Sequence, residues 1–96
     1  MSETKNAYVE RQTDNIKSWT AEIHKFQDQA DRAIGKKVEK YKKHIEELKV
    51  MSAGLEAKVV AIEKSGEAGW EELKIGADKT FKALDKSFKD AAAFFN

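Results

Sequence analysis

The sequence predicts an all-α chain: a long helix and a shorter helix forming an antiparallel helical hairpin with coiled-coil packing, paired into a dimeric bundle. Three observations carry that prediction. Apolar residues recur at alternating spacings of three and four from Val9 to Ile62, through Ile16, Trp19, Ile23, Phe26, Ala30, Ile34, Val38, Tyr41, Ile45, Leu48, Leu55 and Val59. A period near 3.5 is the seam of packed helices. The 96 residues include no proline, five glycines and 36% charged residues, which is the composition of long helices. One interruption, Ser65-Gly66-Glu67-Ala68-Gly69, divides the chain unequally.

Helix one is expected over about 4–64, a length of about 90 Å. Ser2 and Thr4 are candidate N-caps, with Glu3 near the positive end of the helix dipole. The stripe slips by one residue across Ala30, Ile34 and Val38, spaced four and four, and Gly35 lies within the slip. A glycine inside a helix costs about 1 kcal/mol relative to alanine. It is read either as a tolerated surface glycine or as a point of close helix approach. Ser52, on the seam, and Gly54 form a second soft spot, beyond which Leu55, Val59 and Ile62 resume in phase.

The turn is expected over 65–69. Lys64 suits the last turn of a helix, and Gly66 suits a left-handed position just past its end. Helix two is expected over about 67–95, with Glu67, Glu71 and Glu72 near its start. Its stripe reads Trp70, Leu73, Ala77, Phe81, Leu84, Phe88, Ala91 and Phe95. It opens on an eleven-residue unit in which Trp70-Glu-Glu-Leu73 recurs as Phe81-Lys-Ala-Leu84. The alternative is one continuous rod through Gly66. Pairs of opposite charge four apart, Asp28–Arg32, Glu39–Lys43, Asp78–Lys82 and Asp85–Lys89, mark solvated faces.

The function classes narrow by exclusion. Eighteen basic residues against seventeen acidic ones leave a net charge of +1, which argues against a nucleic-acid partner. With no cysteine there are no disulfides, thiolate metal sites or cysteine nucleophiles. His24 and His44 lie twenty residues apart and off the seam, so no metal site is expected. No carboxylate occupies the seam, and no glycine-rich loop precedes a helix. The chain is therefore expected to be no enzyme and to need no cofactor. No apolar run approaches the roughly 20 residues of a membrane span. Met1 to Tyr8 is polar with no apolar core of a secretory signal, so a cytoplasmic location is the default expectation. The basic run Lys36-Lys37-Val-Glu-Lys40-Tyr-Lys42-Lys43-His44 is interleaved with Glu39 and reads as a solvated face before it reads as a contact for an anionic partner or lipid. Helix two is strongly amphipathic and ends in Phe94-Phe95. Residues 67–96 nevertheless hold five lysines against six acidic residues, a balance that favours protein packing over an interfacial lipid-binding helix.

Three segments, Trp19-Thr-Ala-Glu-Ile-His-Lys25, Tyr41-Lys-Lys-His-Ile-Glu-Glu-Leu48 and Ala68-Gly69-Trp70-Glu-Glu-Leu-Lys-Ile-Gly76, occur in that order. In this the chain resembles a group of small bacterial coiled-coil proteins that carry W-x-A-E-I, Y-x-x-x-I-E-E-L and A-W-E-D/E-L-K-x-G segments. The resemblance implies a coiled-coil protein of unassigned function.

Helix two, about 42 Å long, covers only half of helix one when folded back at Gly66. That leaves Ile16, Trp19, Ile23 and Phe26 bare, which is unusual for a monomer. The expected solution is an antiparallel homodimer of long helices crossing near Gly35, with a tetramer of hairpins as the other arrangement. The expected interface is Ile16, Trp19, Ile23, Phe26 and Ile34, joined near the two-fold axis by Phe94 and Phe95. The expected function is structural or protein-interacting, through self-association. The alternatives are peripheral membrane binding through helix two, or an unknown hetero-partner on the same seam.

Overall fold

A computed structural model of the chain describes residues 3–95; Ser2, one candidate N-cap, and the Phe95 side chain lie outside the described residues. The chain is all-α, with three helices packed against one another: α1 (Lys5–Arg32), α2 (Lys37–Lys64) and α3 (Trp70–Phe95). The expected long helix one is therefore two helices. Thr4 caps the first, its hydroxyl oxygen accepting from the Ala7 N–H at 3.1 Å. α1 stops where Ala33 turns extended, at φ −76° and ψ 149°. Gly35 follows at φ +85°, the only described residue with a positive φ in that range. Glycine adopts that conformation without the penalty a side chain brings. The reversal therefore sits at the phase slip, and neither reading of Gly35 as a helical residue holds.

The physical reason is coverage. α1 and α2 have 28 residues each and α3 has 26. Helices of equal length cover one another fully, whereas a single long helix leaves half its stripe in water. The molecule accordingly measures 52 × 21 × 17 Å, which suits helices of about 42 Å laid side by side. The Lys5 ammonium donates to the Ser65 carbonyl at 2.7 Å, tying the start of α1 to the end of α2. α1 and α2 thus run antiparallel. Tyr8 meets Trp70, and Phe26 meets Phe88, so α1 and α3 run the same way.

At the second turn Ser65, not a left-handed Gly66, ends α2. Its hydroxyl and its N–H both donate to the Ile62 carbonyl, at 2.6 and 3.1 Å. The Lys5 charge adds to this cap where the helix dipole favours a cation. Residues 67–69 belong to the turn, and α3 starts three residues later than the acidic cluster suggests, at Trp70. α2 runs unbroken through Ser52 and Gly54, and Ser52 is buried on the seam as its position implies.

The core takes Tyr8, Ile23, Phe26 and Ala30 from α1, and Ile45, Leu48, Leu55, Val59 and Ile62 from α2. α3 adds Trp70, Ala77, Leu84, Phe88 and Ala91. In α3 the buried residues Trp70, Ala77, Leu84 and Ala91 fall every seven residues, with Phe88 buried between the last two, rather than as an eleven-residue unit. Leu73 consequently faces outward, and Lys74 takes the inward place beside it. α1 and α3 meet through rings. Trp19 stacks on Phe88 at 5.3 Å and leans on Phe81 at 5.2 Å. Such pairs contribute about 0.5–1.5 kcal/mol each beyond the area they bury.

Trp19 therefore stabilises its own chain. Trp19→Ala should cost about 3 kcal/mol in urea unfolding of the monomeric chain. Unchanged stability with weakened association would instead place Trp19 against a partner.

Candidate interaction surface

The seven residues expected at an interface divide into two sets. Ile23 and Phe26 are buried, and Ile16 and Trp19 pack against the same core from half-buried positions. These four face inward within one chain, because α2 and α3 cover the stretch that a two-helix hairpin would leave bare. Ile34 and Phe94 stay outside. Ile34 is 91% exposed on the α1–α2 turn. Phe94 lies at the same end of the bundle, its ring edge-on to Tyr41 at 5.2 Å and 4.6 Å from the His44 ring. Phe95 follows it in α3, with its side chain outside the described residues.

The turn end carries charge as well. Lys36, Lys37, Lys40, Lys42 and Lys43 are all exposed, while Val38 and Tyr41 point partly inward. His24 is exposed and His44 half-buried. The outer face of the α1–α2 pair holds an open groove of about 440 Å³, in which Asp28, Asp31 and Glu46 face Lys42 and Lys49 over a floor of Ala30 and Ile45. Both signs of charge and a shallow floor make a solvated furrow of it. A smaller apolar hollow beside Val50 and Met51 is rimmed by Glu46 and Glu47. Among the described residues no group of three or more His, Cys, Asp or Glu could hold a metal ion. None of the described helices is long and apolar enough to cross a membrane.

The opposite end carries a polar cluster that the apolar stripe did not reveal. Tyr8 is fully buried, and its hydroxyl donates to Asp78 at 2.7 Å. Its ring packs 5.8 Å from Trp70, with the Lys74 ammonium and the Arg11 guanidinium over it at 5.5 and 5.2 Å. Arg11 also grips Glu3 through two hydrogen bonds, 2.8 and 3.0 Å long, and these hold the Glu3 carboxyl below its usual range. Asp78 pairs with Lys74 at 3.6 Å rather than with Lys82, because it turns toward Tyr8; Asp85–Lys89 closes as expected, at 3.0 Å. Burial, then the Asp78 hydrogen bond and charge, push the Tyr8 phenol well above its ordinary value. Held neutral in this way, the phenol keeps the proton it donates to Asp78.

Gln12, one turn on, is also fully buried. Its carbonyl accepts from the Asn15 amide at 3.4 Å, and its own Nε2 has no partner within hydrogen-bond distance among the described residues. Sequence reasoning missed Tyr8 and Gln12 because Val9 fits the apolar pattern almost as well. The signal that could have found them is the run Tyr8, Gln12, Asn15, Trp19, which continues the 3–4 spacing with polar side chains. No known family model matches the chain, and no curated protein or solved structure matches it either.

A raised phenol pKa stabilises the fold fully below the unfolded value of 10.0, and that contribution is lost as pH rises above it. Tyr8→Phe should cost about 1 kcal/mol at neutral pH. The gap between wild type and variant should narrow in unfolding measurements taken above pH 10.0. A gap that stays constant with pH would show that the Tyr8 hydroxyl is not held neutral by the fold.

Proposed function

We propose that this chain is a non-enzymatic structural or interaction protein that acts through contact with other proteins, beginning with a second copy of itself. The observation that carries this reading is the apolar end of the bundle, where Ile34 stands 91% exposed after the core has closed. Phe94, 37% exposed, borders the same end. An isoleucine contributes nothing to a glycine turn when it stands in water. It does contribute when a partner removes it from water, at about 25 cal/mol per Å² of apolar surface covered.

The non-enzymatic reading rests on what fills the interior. Among the described residues the buried side chains are aliphatic or aromatic apart from Gln12 and Ser52, and the one buried titratable group, Tyr8, is already engaged. Catalysis draws on accessible groups with shifted pKa values converging in a cleft. The resemblance to small bacterial coiled-coil proteins implies a coiled coil of unassigned function and adds no activity to this reading.

Membrane-surface binding through α3 has less support. The apolar face of that helix, with Trp70, Ala77, Leu84, Phe88 and Ala91, is spent on the core. α3 would have to leave the bundle to reach lipid.

Multi-angle light scattering across micromolar to millimolar concentrations tests the proposal. A mass rising toward twice that of the monomer is expected. A constant monomer mass would overturn self-association, and sedimentation with anionic vesicles that survives high salt would move the assignment to a lipid surface.

A further inference from the structure

We infer that the second copy binds by exchange: α1 leaves its own α2–α3 pair and docks on the same two helices of a partner, while Ala33–Lys36 straightens into helix. The inference rests on the self-association proposed above and specifies how it occurs. Four observations point to it.

First, the apolar stripe does not end at the turn. Phe26, Ala30, Ile34, Val38 and Tyr41 keep helical spacing straight through it, with one slip. A segment built only to turn has no need of that pattern. The chain can thus be read as two helices or as one long helix, and only the conformation of residues 33–36 separates the two.

Second, the turn is weakly held. Lys36 occupies the N-cap of α2 with no side-chain cap bond, whereas Thr4 caps α1. Two backbone hydrogen bonds, Ala33 N–H to Ala30 O and Val38 N–H to Gly35 O, both 3.2 Å long, flank the bend. No proline forbids the straight form.

Third, exchange reuses the contacts of the closed chain. Antiparallel α1 and α2 joined by a short turn become antiparallel long helices related by a two-fold axis at the turn. Trp19 then meets Phe81 and Phe88 of the partner instead of its own. Swapping an identical element remakes every core contact, so the two states differ mainly at the hinge.

Fourth, the exchanged form accounts for Ile34. In the closed chain its side chain is 91% in water. In the exchanged pair it lies at the crossing of two long helices beside Val38, a seam position.

Gly35 sets the balance. A Cβ built there meets nothing within 4 Å, so Gly35→Ala is opposed in the closed form only by φ +85°. The same change favours the helical hinge in each chain, and two hinges together raise the dimerisation constant by about 30-fold. Inserting three glycines after Gly35 should relax the turn and lower dimerisation. Ile34→Asp should weaken the dimer and leave monomer stability unchanged.

Light scattering on the three full-length variants reads these shifts. A cysteine pair, Thr20→Cys with Glu56→Cys, lies on the two sides of the α1–α2 furrow, and a short bismaleimide joins the pair in the isolated dimer. Exchange yields covalently linked chain pairs on a denaturing gel. Linkage within single chains would overturn exchange and leave self-association standing, as a face-to-face dimer. A dimer whose constant is indifferent to both Gly35→Ala and the glycine insertion would overturn exchange as well. If Gly35→Ala fails to fold, the insertion and Ile34→Asp still decide. Wild type that never exceeds monomer mass, with Gly35→Ala also monomeric, removes the exchange together with the reading beneath it.

Discussion

At Gly35 the backbone takes φ +85°, a conformation that carries no penalty for glycine and a real one for residues with a Cβ. The rest of the bundle depends on this reversal. It divides the stripe from Val9 to Ile62 between two helices of 28 residues that face each other. A third helix of 26 residues then suffices to close the core. Moving the reversal by a few residues would leave α1 and α2 unequal and apolar side chains bare at one end.

The two ends of the bundle are built differently. At the end away from Gly35, α1 is tied to both other helices. Lys5 reaches the carbonyl of Ser65 at the close of α2, and Tyr8 reaches Asp78 on α3 under Lys74 and Arg11. At the Gly35 end the contacts are ring packing and a turn with few hydrogen bonds. Stability within a fold is not uniform, and segments with few buried contacts open first. The Gly35 end combines those few hydrogen bonds with the exposed side chains of Ile34 and Phe94, and on that combination the proposed exchange rests.

Much of this was legible in the sequence, and the losses have specific causes. The all-α class, the turn at Ser65 to Gly69 and the apolar positions of α2 followed from spacing and composition. The break at Gly35 did not, because a 3–4 stripe is the pattern of both a long coiled coil and a short bundle. One glycine inside such a stripe costs about 1 kcal/mol as helix, too little to decide alone. What decides is how much surface each arrangement covers, and that is a property of the whole chain. Because of the same ambiguity, four residues expected at an interface lie inside the closed chain, Ile23 and Phe26 in its core and Ile16 and Trp19 packed against it. Tyr8 and Gln12 were hidden by their polar atoms, and Lys74 by its charge, although its ammonium sits over the Tyr8 ring at 5.5 Å.

Reversal at Gly35 can be measured most directly as a distance between spin labels at Glu10 and Ala61, both exposed and near opposite ends of the sequence stripe. The measurement belongs at a dilution where the chain is monomeric. With neighbouring helices about 10 Å apart, the closed bundle puts the labels within about 20 Å of each other, allowing for their linkers. A continuous helix across residues 33–36 would separate them by about 75 Å. That result in the monomer would contradict the reversal and everything built upon it.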